Sequence, residues 1–348
     1  GTIAAHLGER ASDSYHQAAV IAPGGQLTYG ELYEATRQCA GGLKRRGVES
    51  GTRVALMVRP GREMVILAFA LIRIGAIPVL VDPGIGWRNV KQCLAHARPE
   101  VFIGISVAHL ARLALGWGRG NLRLNVVVGR VPFPGAISYA DLLEGPADPR
   151  EEEAGPETDA AIVFTSGSTG PPKGVVYTQG MFQAQAQLLR DSFEIEAGEV
   201  DLATFPLFAL YDPALKMTTV FPEMDFTRPG KVDPRCIIDP IRKYGVTHLF
   251  GSPALLDRVG RFGRKEGIRL PSVRRVLSAG APVSSRILER FADLLEPGVP
   301  IHTPYGATEA LPVASISHLE RERLGEDDSL KGVCVGRPLA GVDLDLIP

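Results

Sequence analysis

Between residues 53 and 129 the chain alternates short apolar runs with longer helical patterns, and few architectures accept that alternation. The stretch EMVILAFALIRIGAIPVLVDP, residues 63–83, reads as a buried helix stopped by Gly75 and then a strand closed by a turn. RVALMV at 53–58 precedes it. KQCLAHARPE follows as a helix leading into Val101–Ile105, and RLNVVVG at 123–129 adds another strand. Strands that are apolar on both faces need cover on both faces, which helical crossovers supply to a parallel sheet. The pattern therefore predicts an α/β fold with a mostly parallel sheet. An amphipathic helix is expected within 27–48, with Leu32, Ala35, Thr36, Cys39, Ala40 and Leu43 at helical spacing and Gly47 as its stop.

The segment EGPADPREEEAGPETD, 144–159, is rich in Glu, Pro and Gly and nearly lacks large apolar residues, so it reads as a linker between subdomains. Beyond it the same logic resumes, with strands expected at 160–164, VDLATF, THLFG, RRVLSAG and IHTPYG, and helices at 178–190, 234–244, 253–266 and 284–295. The last residues, GVDLDLIP, place Val342, Leu344 and Leu346 on one face of an expected strand. With 348 residues the chain exceeds a single ordinary core.

A formal net charge of −1, with basic residues dispersed along the chain, gives no general attraction to nucleic acid or to an anionic surface. Cysteines at 39, 93, 236 and 334 lack CxxC spacing and paired histidines, which argues against a zinc site or a disulfide framework. A reducing cytoplasm is the simplest compartment. The longest apolar stretch is broken by Arg73, Gly75 and Pro78, short of the ~20 residues a spanning helix needs. No signal peptide is read in GTIAAHLGER, and the leading Gly1 suggests processing, truncation or a missing disordered start.

TSGSTGPPKG, 165–174, concentrates glycine and hydroxyl residues around one lysine directly after an expected buried strand. Glycines allow close backbone approach, hydroxyls and amides donate hydrogen bonds, and Lys173 adds a charge, which together suit a polyphosphate. A Walker loop needs glycine before its lysine and a hydroxyl after it, whereas Lys173 lies between Pro172 and Gly174. The spacing also fails the dinucleotide fingerprint and the G-x-S-x-G nucleophile elbow.

This loop resembles the phosphate loop of the adenylate-forming superfamily, which includes acyl-CoA synthetases, peptide-synthetase adenylation domains and luciferases. Further stretches follow in the family's order: LTYGELYE at 27, GAIPVLVDP at 75, FPLFAL at 205, SAGAPV at 278, YGATE at 305 and GVCVGRP at 332. The resemblance implies the family's large N-terminal domain: one α/β subdomain over 1–150, a second over 151–325 with the ATP-binding motifs, and the start of a small β-subdomain over 326–348. It also implies roles. Thr165, Ser166, Gly167, Ser168, Thr169, Gly170 and Lys173 would wrap the β- and γ-phosphates of ATP. Gly280, Ala281 and Pro282 would line the adenine, with Tyr305 stacked on it and Thr303 and Gly306 beside it. Thr308 would bond the α-phosphate, and Glu309 would hold Mg²⁺ while a substrate carboxylate attacks that phosphorus. Lys173, Thr308 and Glu309 are thus the expected catalytic residues. His302, close before YGATE, is the one histidine expected near the nucleotide.

FPLFALYDPALKMT, VFPEMD and IHTPYGATEALPVASI most resemble the β-lactone synthetases of bacterial long-chain olefin biosynthesis. That resemblance implies a long-chain β-hydroxy acid substrate, closure by the substrate's own hydroxyl after adenylation, and assembly with other olefin-pathway enzymes. Phe208 and Ala209 are then candidates for the acyl pocket. A long-chain fatty acyl-CoA or acyl-AMP ligase and a non-catalytic adenylate-binding module remain alternatives here. No counterpart of the family's ribose-binding Asp, hinge or mobile C-terminal domain with its catalytic lysine occurs in these residues, so they are expected to bind ATP or AMP and to adenylate slowly.

Overall fold

The computed structural model describes residues 1–148, 150–165, 173–325 and 332–345. The chain divides into two compact units, residues 1–21 with 25–184 and residues 22–24 with 185–348. In order, the first part comprises α1 (Ala5–Asp13), β1 (Ala18–Ala22), β2 (Gly25–Thr28), α2 (Tyr29–Arg45), β3 (Arg53–Met57), α3 (Arg62–Arg73), β4 (Ile77–Val81) and α4 (Trp87–Ala97). It continues through β5 (Val101–Ile105), α5 (Ser106–Leu115), β6 (Leu124–Val128), β7 (Ile137–Ser138), α6 (Tyr139–Leu143), β8 (Asp159–Phe164), β9 (Gly174–Thr178) and α7 (Gln179–Ser192).

The sheet of the first unit has the order β7-β6-β5-β3-β4-β8-β9. Every neighbouring pair is parallel except β8 and β9. Each βαβ step buries apolar side chains between sheet and helix: Ala55, Val79, Phe102 and Ile162 meet Cys93 and Leu94 of α4 and the indole of Trp117. At the head of α2 the Thr28 hydroxyl accepts from the Glu31 amide and the Glu31 carboxylate accepts from the Thr28 amide, closing a capping box.

The second part runs through β10 (Val200–Leu202), α8 (Asp212–Leu215), β11 (Thr218–Val220), α9 (Arg235–Tyr244), β12 (His248–Phe250), α10 (Pro253–Lys265), β13 (Arg275–Leu277), α11 (Ser285–Ala292) and β14 (Ile301–His302). Then come β15 (Tyr305–Ala307), β16 (Ala310–Ser315), α12 (His318–Leu324) and β17 (Arg337–Pro338). Strands β14-β13-β12-β10-β11 pair in that order, all parallel. A separate antiparallel sheet joins β15, β16 and β17.

Three features differ from the sequence reading. The linker composition at 144–159 marked a division at 150, yet β8 pairs with β4 and β9 with β8, so residues 159–184 complete the first unit. The small sheet begins at Tyr305, because β15 and β16 form a hairpin on which β17 adds one strand. Residues 342–345 form no strand: alternation needs a neighbouring strand to bond, and none pairs with them among the described residues. No described helix is long and apolar enough to cross a membrane.

Candidate active site

In a parallel sheet the loops after the strand C-termini collect on one edge, and ligands bind there. In the second unit, Leu277 and His302 are register partners, and the Ser278 amide donates to the His302 carbonyl at 2.9 Å. This bond brings SAGAPV and IHTPYGATE out side by side. Gly280, Ala281 and Pro282 are exposed, and Gly280 has φ of +90° with open space where a Cβ would stand. That backbone conformation is one L side chains rarely adopt, so the residue is fixed by geometry.

Thr303 is locked by two bonds to the Ile316 carbonyl, from its amide at 2.8 Å and its hydroxyl at 3.1 Å. Tyr305 follows, 53 % exposed, with its ring available for stacking. Ala307 pairs with Ala310, so Thr308 and Glu309 are the two residues at the tip of the β15–β16 hairpin. Glu309 is exposed and Thr308 half-buried. Gly306 is required for close packing: a Cβ there would lie 2.7 Å from the Ala310 carbonyl oxygen and from Leu311 Cβ. His302 is half-buried, its ring edge-on to Phe193 at 5.1 Å, and burial pushes its imidazole down to about 4, so it is neutral at pH 7.

Phe208 and Ala209 lie in a 3₁₀ turn, Pro206–Leu210, after the C-terminal end of β10. Ala209 is buried. Phe208 packs edge-on against Phe250 at 4.8 Å and Phe205 at 5.1 Å, so the sequence-predicted Phe208 belongs to a larger aromatic cluster at the ends of β10 and β12.

Sequence reasoning missed a row of buried polar groups beneath this turn. Thr219, Asp201, His248 and Arg275 are register partners across β11, β10, β12 and β13, and all are buried. In-register residues of adjacent strands share a face, so the four form one stripe. Thr219 donates to Asp212, the first residue of α8, while Arg275 pairs with buried Glu199. Burial, then the charge of Asp212, pushes Asp201 well above the usual carboxylate range. Burial raises Asp212 to about 7 against the opposing Thr219 bond. His248 falls to about 3 through burial and the nearby Arg275 charge. Burial also opposes ionisation of Glu199, but the bonds from Arg275 and the Glu196 amide overcome it and hold that carboxyl below its ordinary value. The sequence signal was present: Asp201 and Arg275 are charges inside runs that read as buried strands.

In the first unit, Phe164 and Gly174 are register partners across the antiparallel pair of β8 and β9. Thr165 is half-buried and Lys173 exposed. Ser166, Gly167, Ser168, Thr169 and Gly170 lie outside the described residues.

Two parallel-rich α/β units, the second with this C-terminal edge and a small antiparallel sheet, define the fold of the adenylate-forming N-terminal domain. It superposes on the N-terminal domain of FACL13 from Mycobacterium tuberculosis with TM-score 0.81 at 20 % identity, over 97 % of this chain and 82 % of that one. The anthranilate CoA ligase AuaEII, in complex with anthranoyl-AMP, gives 0.82 at 19 % identity over 100 % of this chain and 66 % of that one. The chain belongs to the AMP-binding enzyme family, whose pattern matches residues 7–347. It is 46 % identical over 99 % of its length to an olefin beta-lactone synthetase of Stenotrophomonas maltophilia. Identity to the enzyme of the same name from Xanthomonas campestris is 43 %, also over 99 % of this chain. The chain spans 64 % of the length of each of these two relatives. At 28 %, over 88 % of this chain, it is similar to a long-chain-fatty-acid–CoA ligase of Thermus thermophilus.

Proposed function

We propose that this chain is the nucleotide-binding and acyl-binding part of an ATP-dependent β-lactone synthetase acting on a long-chain β-hydroxy acid. The observation that carries the reading is its likeness, along nearly the whole chain, to two synthetases of that name. The local geometry supports it. An exposed tyrosine and a small-residue turn emerge together beside a hairpin tip carrying Thr308 and Glu309, as adenine and α-phosphate binding require.

In the proposed reaction a substrate carboxylate oxygen bonds to the α-phosphorus and pyrophosphate leaves. The substrate's β-hydroxyl oxygen then bonds to the activated carbonyl carbon, AMP leaves, and the hydroxyl proton is lost. Tethering the nucleophile supplies orientation, while the adenylate supplies a leaving group able to drive closure of a strained ring. Tyr305 would stack on adenine over Gly280, Ala281 and Pro282, with Thr303 and Gly306 shaping the approach. Thr165, Ser166, Gly167, Ser168, Thr169, Gly170 and Lys173 would bind the departing phosphates, and Thr308 the α-phosphate. No cluster of three metal-binding side chains occurs among the described residues. That donor set still fits Mg²⁺, which is commonly held by one or two carboxylates together with substrate phosphates, and Glu309 would supply the carboxylate. Bound there, the ion would offset phosphate charge during attack. Phe208 and Ala209 would border the acyl chain, and a cytoplasmic setting suits the ATP requirement.

Product analysis with the full-length protein, ATP, Mg²⁺ and a long-chain β-hydroxy acid tests this. A β-lactone and AMP formed without coenzyme A are expected. A thioester formed only when coenzyme A is added refutes the lactone reading in favour of an acyl-CoA ligase.

A further inference from the structure

Helix α5, SVAHLARLAL, is laid on its sheet the wrong way round for a surface helix. Beyond Ser106 at its start, its two polar side chains turn toward the sheet. His109 is fully buried, its Nε2–H donating to the Val126 carbonyl at 2.9 Å, and Arg112 holds its guanidinium 5.6 Å from the Phe102 ring. The outward face instead carries Val107, Leu110 and Leu113, which are 56, 62 and 54 % exposed. Leu115 and, beyond the helix, Val131 are exposed as well. The Ser106 hydroxyl donates to the Val131 carbonyl at 2.7 Å, placing Val131 at the N-terminal end of this stripe. Helices that are apolar all round are normally buried, and a continuous exposed apolar face marks an interaction surface.

The surrounding charge identifies the partner. Residues 83–140 contain seven arginines and lysines but one carboxylate, Glu100, which Arg123 engages at 3.2 Å. The whole-chain balance of −1 averages over this segment and hides it. Arg130 adjoins Val131 at one end of the stripe, and Arg119 adjoins Gly116 at the other. Both are exposed and form no ion pair among the described residues. Trp87, 54 % exposed, lies stacked at 5.6 Å on Trp117, just past the end of α5. Leucines, an exposed indole and flanking arginines without carboxylates are the chemistry of an interfacial helix on an anionic bilayer.

We propose that the outer face of α5 docks on an anionic lipid bilayer, with Val107, Leu110 and Leu113 entering the headgroup boundary and Arg119 and Arg130 pairing with lipid phosphates. The attachment is peripheral and reversible, since the stripe is one short helix deep.

Co-flotation of the full-length protein with vesicles tests this, using pure phosphatidylcholine against an equimolar mixture with phosphatidylglycerol. Binding to the anionic vesicles is expected, weakened by high salt, with a blue shift of Trp87 emission. The double variant L110E/L113E changes only exposed positions and should keep its melting temperature, yet lose at least about tenfold in partitioning. R119E/R130E should lose the preference for anionic lipid. Failure of the full-length protein to bind either vesicle overturns the proposal, as does binding that L110E/L113E leaves unchanged. An oligomer that this double variant dissociates, without vesicle binding, overturns it too, and assigns the face to a second copy of the chain.

Discussion

Replacing Asp212 by Asn should remove one contribution to the pH dependence of stability in the second unit. In the folded chain burial raises the Asp212 carboxyl from 3.8 to about 7. The folded state therefore holds a proton that the unfolded state has released throughout that interval. This contribution to stability is greatest below the unfolded value and is lost as pH rises through the folded one. Each pKa unit corresponds to about 1.4 kcal/mol, so between about pH 5 and about pH 8 the loss is about 3 kcal/mol. His248 near 3 and His302 near 4 stay neutral when folded while their unfolded imidazoles protonate below about 6.5, so each opposes this decline by about 2 kcal/mol. The Asp212 contribution is therefore read as the difference between wild type and D212N. An amide keeps the volume, still accepts from the Thr219 hydroxyl and does not titrate. It also removes the neighbouring charge that helps raise Asp201. Both tryptophans, Trp87 and Trp117, lie in the first unit, so hydrogen exchange of the amides of β10 and β11 is the suitable reporter. Once corrected for intrinsic exchange, the ratio of wild-type to D212N protection there should fall about a hundredfold across the window. A wild-type to D212N protection ratio that stays constant across the window would refute the assignment of this titration to Asp212.

Three other outcomes follow from the geometry. R275M leaves Glu199 buried without its partner and should cost about 3–5 kcal/mol in urea unfolding, with much of that recovered in R275M/E199Q. Gly306→Ala should strain the hairpin that presents Thr308 and Glu309 by about 1–3 kcal/mol and weaken AMP binding in calorimetry more than it lowers the melting temperature. E309Q, with an exposed side chain, should leave stability unchanged and slow pyrophosphate release by about two orders of magnitude, with a raised requirement for Mg²⁺.

The class of fold was legible because the relevant signals are local. Apolar runs at 77–81 and 101–105, and LNVVV at 124–128 with its single Asn125, are best satisfied between two helical layers, and they became β4, β5 and β6 of a parallel sheet. Ordered short motifs likewise carried the family, since glycine and hydroxyl patterns record what a backbone must do beside a nucleotide. Other features depended on partners distant in sequence. Composition at 144–159 announced a boundary, but hydrogen bonds from β4 to β8 assigned the following residues to the first sheet.

For the site, the sequence by itself named Tyr305, Thr308, Glu309 and the SAGAP turn. Only the parallel pairing of β13 with β14, and the antiparallel return of β16, decided that they emerge side by side with the last two at a hairpin tip. Nor could periodicity reveal that Asp201, Thr219, His248 and Arg275 share one buried stripe, or that α5 turns its histidine inward and its leucines outward. A helical or strand period tells which residues share a face. Which face meets the core is settled by the energy of packing against elements remote in the chain, and that energy exists only once the tertiary structure has formed.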